Sequence, residues 1–165
     1  MNFAQAGIDT DAMPIFFFIA VMFVVAVRDI QTRTVKLVWT VMVGIAAIVV
    51  VTLQAGSGPM QWLSGGLSAL AAFGFYLFLG MRGVMGGGDV KLAPFPALVL
   101  GAMSPLLGVW WIVASLAIQQ IVTLFVRLWR RIRSQPAKRA LELPHVPAMW
   151  VALVVGSWLF SLAAG

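Results

Sequence analysis

Leu37 to Leu53, LVWTVMVGIAAIVVVTL, runs for 17 residues without a charge. A helix needs about 20 predominantly apolar residues, with about 17 as a lower limit, to cross the hydrocarbon core of a bilayer. An apolar surface on all sides has to be buried or to face lipid. Five further runs are predominantly apolar, with Arg127 their one charge: Met13 to Val27, Trp62 to Leu79, Leu92 to Met103, Leu106 to Leu128 and Ala148 to Ala163. Leu92 to Met103 is very short and opens with Pro94 and Pro96. Fused with the next run it would make a helix of about 55 Å at 1.5 Å per residue. That is too long for a core of about 30 Å, so a break is expected at Ser104-Pro105, a turn signal. The expected fold is all-α: one polytopic membrane domain over residues 1–165 with six transmembrane helices.

Composition agrees. Charged residues make up 10% of the chain and hydrophobic residues 62%, where a soluble domain carries about 25% charged residues. There is no cysteine, which excludes a disulfide framework, a cysteine zinc site and a thiol nucleophile. The net charge of +6 has a membrane explanation, because Lys and Arg collect in cytoplasmic loops. No groove-reading motif or basic-aromatic platform points to nucleic acid. Residues 1–14 hold Asp9 and Asp11 but no Lys or Arg, unlike the basic start of a signal peptide. The first cation, Arg28, follows the first run, so the N-terminus is expected outside.

With six spans, the C-terminus is extracytoplasmic too. The cytoplasmic segments are then Arg28–Lys36, Gly80–Lys91 and Arg127–Pro147. Together they hold all eleven Lys and Arg residues: Arg28, Arg33, Lys36, Arg82, Lys91, Arg127, Arg130, Arg131, Arg133, Lys138 and Arg139. A five-span arrangement breaks this pattern. Trp62, Trp129 and Trp150 fall near span ends, where amphipathic rings prefer to sit. The small residues of GGLSALAAFG, Gly65 to Gly74, are expected to allow close helix packing.

Five acidic residues exist in the chain, and two of them fall on the same, cytoplasmic, face. Asp29 follows the first span and Asp89 precedes the fourth. Acids at a span are costly and usually functional. Two carboxyl groups that approach each other do not readily both ionise, so they share a proton, as in aspartic peptidases. One takes a proton from water while the other polarises the scissile carbonyl. Gly86, Gly87 and Gly88 open backbone angles closed to other residues and leave room for a substrate strand. Plainer readings stand beside these. The glycines make a flexible turn, Asp89 is the N-cap of the fourth span, and Asp29 pairs with Arg33 at i, i+4.

Other candidates carry less. Lys91 either meets the substrate backbone or lowers the pKa of Asp89, or it only snorkels to the interface. Arg33 orients Asp29 or does the same. His145, the only histidine, has no partners for a metal site. The run RLWRRIRSQPAKR, Arg127 to Arg139, suits anionic lipid headgroups. No cofactor is expected, and scattered acids do not make a hard-cation site.

GGGDVKL, Gly86 to Leu92, resembles the GxGD signature of intramembrane aspartic peptidases, with the Val-Lys-Leu of type IV prepilin peptidases. DIQTRTV, Asp29 to Val35, resembles that family's first aspartate motif. ELPHVPAMWVALVVG, Glu142 to Gly156, resembles its last span, opening with a Pro-aromatic-Gly-Pro-like turn. Where the family has Ile-Pro-Asn after the first aspartate, this chain has Val35-Lys36-Leu37. The resemblance implies an endopeptidase that removes leader peptides from type IV prepilins or pseudopilins in the bacterial inner membrane. It implies Asp29 and Asp89 as catalytic carboxylates, with Gly86, Gly87, Gly88 and Lys91 as motif support. The short chain is most similar to the subtype serving Flp (tight-adherence) pili. Larger members carry a paired-cysteine cytoplasmic domain and N-methylate the product. With no cysteine and a first cytoplasmic loop of about nine residues, peptidase activity without methylation is implied. Functions of other classes are a proton-coupled transporter, whose acids usually lie nearer the midplane, and a non-catalytic subunit of a pilus or secretion machine.

Overall fold

The computed structural model describes residues 13–32, 35–54, 58–133 and 144–164. Among these residues all regular structure is helical. The six apolar runs become α1 (Met13–Thr32), α2 (Leu37–Gln54), α3 (Pro59–Met81), α5 (Pro94–Met103), α6 (Pro105–Ile132) and α7 (Val146–Ala164), and a short helix not expected from the sequence, α4 (Gly87–Leu92), precedes α5. Four of them, α1, α2, α3 and α6, are long and apolar enough to cross a membrane. The expectation of six spans is met in part: four helices reach spanning length, and α7 adds a shorter apolar helix. Ten residues of α5 reach only about 15 Å, so this helix cannot cross a bilayer alone.

The expected break holds. Ser104 ends α5 and opens α6 in an extended conformation, φ −161° and ψ 133°. Pro105 follows as the first residue of α6, where its missing N–H costs nothing. Pro59 and Pro94 open α3 and α5 in the same way.

The short α5 lies at the centre of the bundle. It packs on α2, α3, α6 and α7, while α1 packs on α2 and α7. Pro96, Ala97, Val99, Leu100, Gly101 and Ala102 are all buried. Small residues bring the neighbours close. A Cβ at Gly65 would stand 2.8 Å from the Leu98 carbonyl oxygen, and one at Gly108 would stand 2.7 Å from the Ser68 Cβ. Ser64 Oγ donates to the Gly101 carbonyl at 2.8 Å. The small-residue stretch of α3 thus seats that helix against α5 and α6, as expected. The outside of the bundle is apolar, with Phe17, Leu70, Leu124 and Phe125 exposed.

Two indoles fix α7. Trp111 of α6 donates to the Met149 carbonyl at 3.1 Å, and Trp150 donates to the Ile19 carbonyl of α1 at 3.0 Å. Trp150 also packs on Phe23, with ring centroids 5.2 Å apart. Its polar edge is therefore spent inside the protein, whereas Trp62 and Trp129 are exposed near helix ends.

Candidate active site

Asp29 sits in the last turn of α1 and is only 6% exposed. An apolar helix places it there because its own turn faces α7. Its carboxyl accepts a hydrogen bond from the backbone N–H of Val146, the first residue of α7. One of its oxygens, Oδ2, is buried without a partner. The neighbouring Arg28 turns away and lies over the Trp39 ring of α2, 5.8 Å from its centroid. Arg33, and with it the proposed pairing to Asp29, lies outside the described residues.

Asp89 is the third residue of α4 and is half-buried. The N-cap is Gly86, so Asp89 does not cap a helix as the plainer reading had it. Its carboxyl instead reaches back and accepts from the Gly86 N–H, the return arm of a capping box. Burial, and then the negative charge of Asp29, push this carboxyl up to about 7 from an ordinary 3.8, against the opposing pull of the Gly86 N–H. The two carboxyl groups, sixty positions apart in the sequence, therefore act on each other at one end of the bundle. Lys91, in the last turn of α4, is exposed.

The glycines work differently from expectation. Gly86 has φ −73° and ψ 148°, open to any residue, and Gly87 and Gly88 are helical. The left-handed position in this loop is Gly83, φ 69°. Gly88 serves close approach: a Cβ there would stand 3.0 Å from the Cβ of Val35, in the segment that follows α1. A Cβ at Gly87 would meet nothing within 4 Å, which leaves open space over the backbone beside Asp89.

A polar network that sequence reasoning missed adjoins the pair. Tyr76 of α3 is fully buried, and its ring stacks on Trp111 at 6.2 Å. Its hydroxyl lies 2.6 Å from Ser115 Oγ of α6 and 3.0 Å from Nε2 of His145. The Asp89 carboxylate acts electrostatically on this phenol. His145 is 3% exposed, and its burial lowers its pKa from 6.5 to about 4, so the ring is neutral at pH 7. The one available signal was composition: the chain has a single tyrosine and a single histidine, and they bond to each other.

Among the described residues no group of three or more His, Cys, Asp or Glu converges on a metal position. The fold and the site define a class: a multi-pass helical membrane protein with a pair of interacting carboxyl groups at one end of its bundle. The family model described as the type IV leader peptidase family matches residues 16–128, and the chain belongs to that family. Membership indicates a peptidase, with leader peptides of prepilins as the family's substrates. Both aspartates lie inside the matched stretch, while His145 and α7 lie beyond it. No curated protein and no solved structure matches the chain.

Proposed function

We propose that this chain is an aspartic endopeptidase that cleaves the leader from type IV prepilins or pseudopilins at the cytoplasmic face of the bacterial inner membrane. The observation that carries the reading is the Asp89 carboxyl, which burial and then the nearby charge of Asp29 raise to about 7, so that it holds a proton near neutral pH. Asp29, ionised, takes a proton from water as the water oxygen bonds to the scissile carbonyl carbon. Asp89 gives its proton toward the carbonyl oxygen as the tetrahedral centre forms. Collapse of that centre breaks the C–N bond: the proton taken by Asp29 leaves on the amine, and a hydroxyl proton of the diol returns to Asp89 as the carbonyl re-forms. The cytoplasmic placement rests on the order of the eleven cations in the sequence, which all fall in the three segments that the six-span reading puts on one side. Exposed Arg127 and Arg131 at the far end of α6 suit anionic headgroups. Lack of cysteine favours the Flp-pilus subtype, without methylation.

The test is co-expression with an Flp-type prepilin, following the mass loss on a gel. Wild type is expected to cleave. Asp29→Asn and Asp89→Asn, which keep size and remove the titratable group, are expected to lose about 10³-fold or more while still reaching the membrane. Normal cleavage by either variant rules out the two-carboxylate mechanism.

A further inference from the structure

The start of α7 has few free donors. Ala148 and Met149 both donate to the His145 carbonyl, at 2.9 and 3.1 Å. Pro147 has no N–H. The N–H of Val146 is thus the donor left over at this helix start, and it is the one that reaches Asp29. Its direction follows from the peptide plane between His145 and Val146, so whatever holds His145 aims it.

His145 is held by its side chain. Ser115 Oγ donates to the Ile112 carbonyl at 3.0 Å, which uses its only proton. The Tyr76 hydroxyl, 2.6 Å away, therefore donates to Ser115. The Tyr76 oxygen must then accept from His145 Nε2 at 3.0 Å, which assigns the Nε2–H tautomer. Tyr76 is itself clamped by its stack on Trp111, and Trp111 is tied to Met149 of α7. A purely space-filling role does not account for the histidine. Its Nδ1 is buried without a partner, a cost that an apolar ring of similar size would avoid.

We propose that His145 is a positioning residue for the aspartate pair: anchored through Nε2 to Tyr76 and Ser115, it fixes the turn into α7 so that the Val146 N–H is held on the Asp29 carboxyl. The proposal rests on the peptidase reading above. It adds a third helix, through the start of α7, to a site otherwise built from the end of α1 and the start of α4, and it gives Tyr76 a part in catalysis without contact with substrate.

The test is steady-state cleavage of a purified prepilin by the full chain in detergent or vesicles, with Asp29→Asn as the inactive control. His145→Leu is expected to lower kcat about 10- to 100-fold, the scale of a small misplacement of a catalytic group, with KM changed less than about twofold. His145→Gln, whose amide N–H can occupy the Nε2 position, is expected to recover most of the lost kcat. Tyr76→Phe keeps the stack on Trp111 and removes only the hydroxyl. It is expected to match His145→Leu, and the double variant to be no worse than either single one. Tyr76→Phe thus carries the test if His145→Leu does not fold. The inference is overturned if wild type cleaves and Tyr76→Phe keeps wild-type kcat, or if Gln is no better than Leu. If wild type cleaves no prepilin, the peptidase reading itself has failed and the inference falls with it.

Discussion

Gly88 and Val35 stand so close that a Cβ on the glycine would lie 3.0 Å from the Cβ of Val35 and 3.6 Å from its backbone nitrogen. These atoms cannot swing aside as a side-chain tip can. An added methyl therefore has to move either α4, which carries Asp89, or the segment that directly follows the α1 turn carrying Asp29. Gly88→Ala is expected to keep the protein folded, because overpacking of about 1–3 kcal/mol is offset by up to about 1 kcal/mol of helix propensity. Cleavage is expected to fall at least about tenfold through kcat. Gly87→Ala, with open space around it, is expected to leave the melting temperature equal or higher and to raise KM. Kinetics of the two variants side by side check both statements.

Cleavage should depend on pH through Asp89. The carboxyl loses its proton near about 7, and the acid partner is needed protonated, so the rate is expected to decline above that pH by about tenfold per unit. The stability effect has a definite sign. A carboxyl raised in the folded state contributes stability that is complete below its ordinary 3.8 and is lost as pH rises through about 7. Asp89→Asn should therefore raise the melting temperature at pH 8 and leave it unchanged near pH 3.5. Thermal unfolding of both proteins across this range measures it.

His145 has the opposite dependence. Its pKa is lowered in the fold to about 4, so the stability tied to the neutral ring is complete above 6.5 and is lost as pH falls toward 4. The linked loss is about 3 kcal/mol at one unit per 1.36 kcal/mol. His145→Gln is expected to flatten the acid side of the stability curve. A parallel acid slope in wild type and variant would assign the loss to other groups.

The bundle centre is tightest where α3, α5 and α6 meet at Ser68. Gly108→Ala would set a methyl 2.7 Å from the Ser68 Cβ and 3.2 Å from the Gly101 Cα. It is expected to cost about 1–3 kcal/mol. Gly74→Ala, on the same α3 with nothing within 4 Å, is expected to stabilise by up to about 1 kcal/mol. Unfolding in mixed micelles distinguishes the two.

Much of this was legible in the sequence, because lipid imposes lengths that soluble proteins do not face. The apolar runs located every long helix, and Ser104-Pro105 located the break between α5 and α6. The short α4 ahead of the fourth run was hidden. Asp89 to Leu92 reads as a polar lead-in to an apolar helix, and only backbone geometry separates α4 from α5. The position of Asp89 in the first turn was hidden too, since an aspartate one to three residues into a helix looks like a cap. Gly-Gly-Gly suggested unusual dihedrals, whereas the chain uses close approach at Gly88 and a left-handed residue at Gly83. The Tyr76–His145 bond joins residues 69 positions apart and leaves no local trace. Pattern reading along a chain finds periodicities, and a pairing of two singletons has none.

The Val146 N–H that meets Asp29 comes from α7, the last of the described helices, whereas Asp29 belongs to α1, the first of them. A nascent chain emerging from the ribosome therefore carries Asp29 long before it carries that carboxyl's backbone donor. Insertion of the early helices leaves the dyad unfinished, and docking of α7 completes it. Under the proposed mechanism, the order of synthesis keeps the Asp29 carboxyl without this donor until α7 has docked.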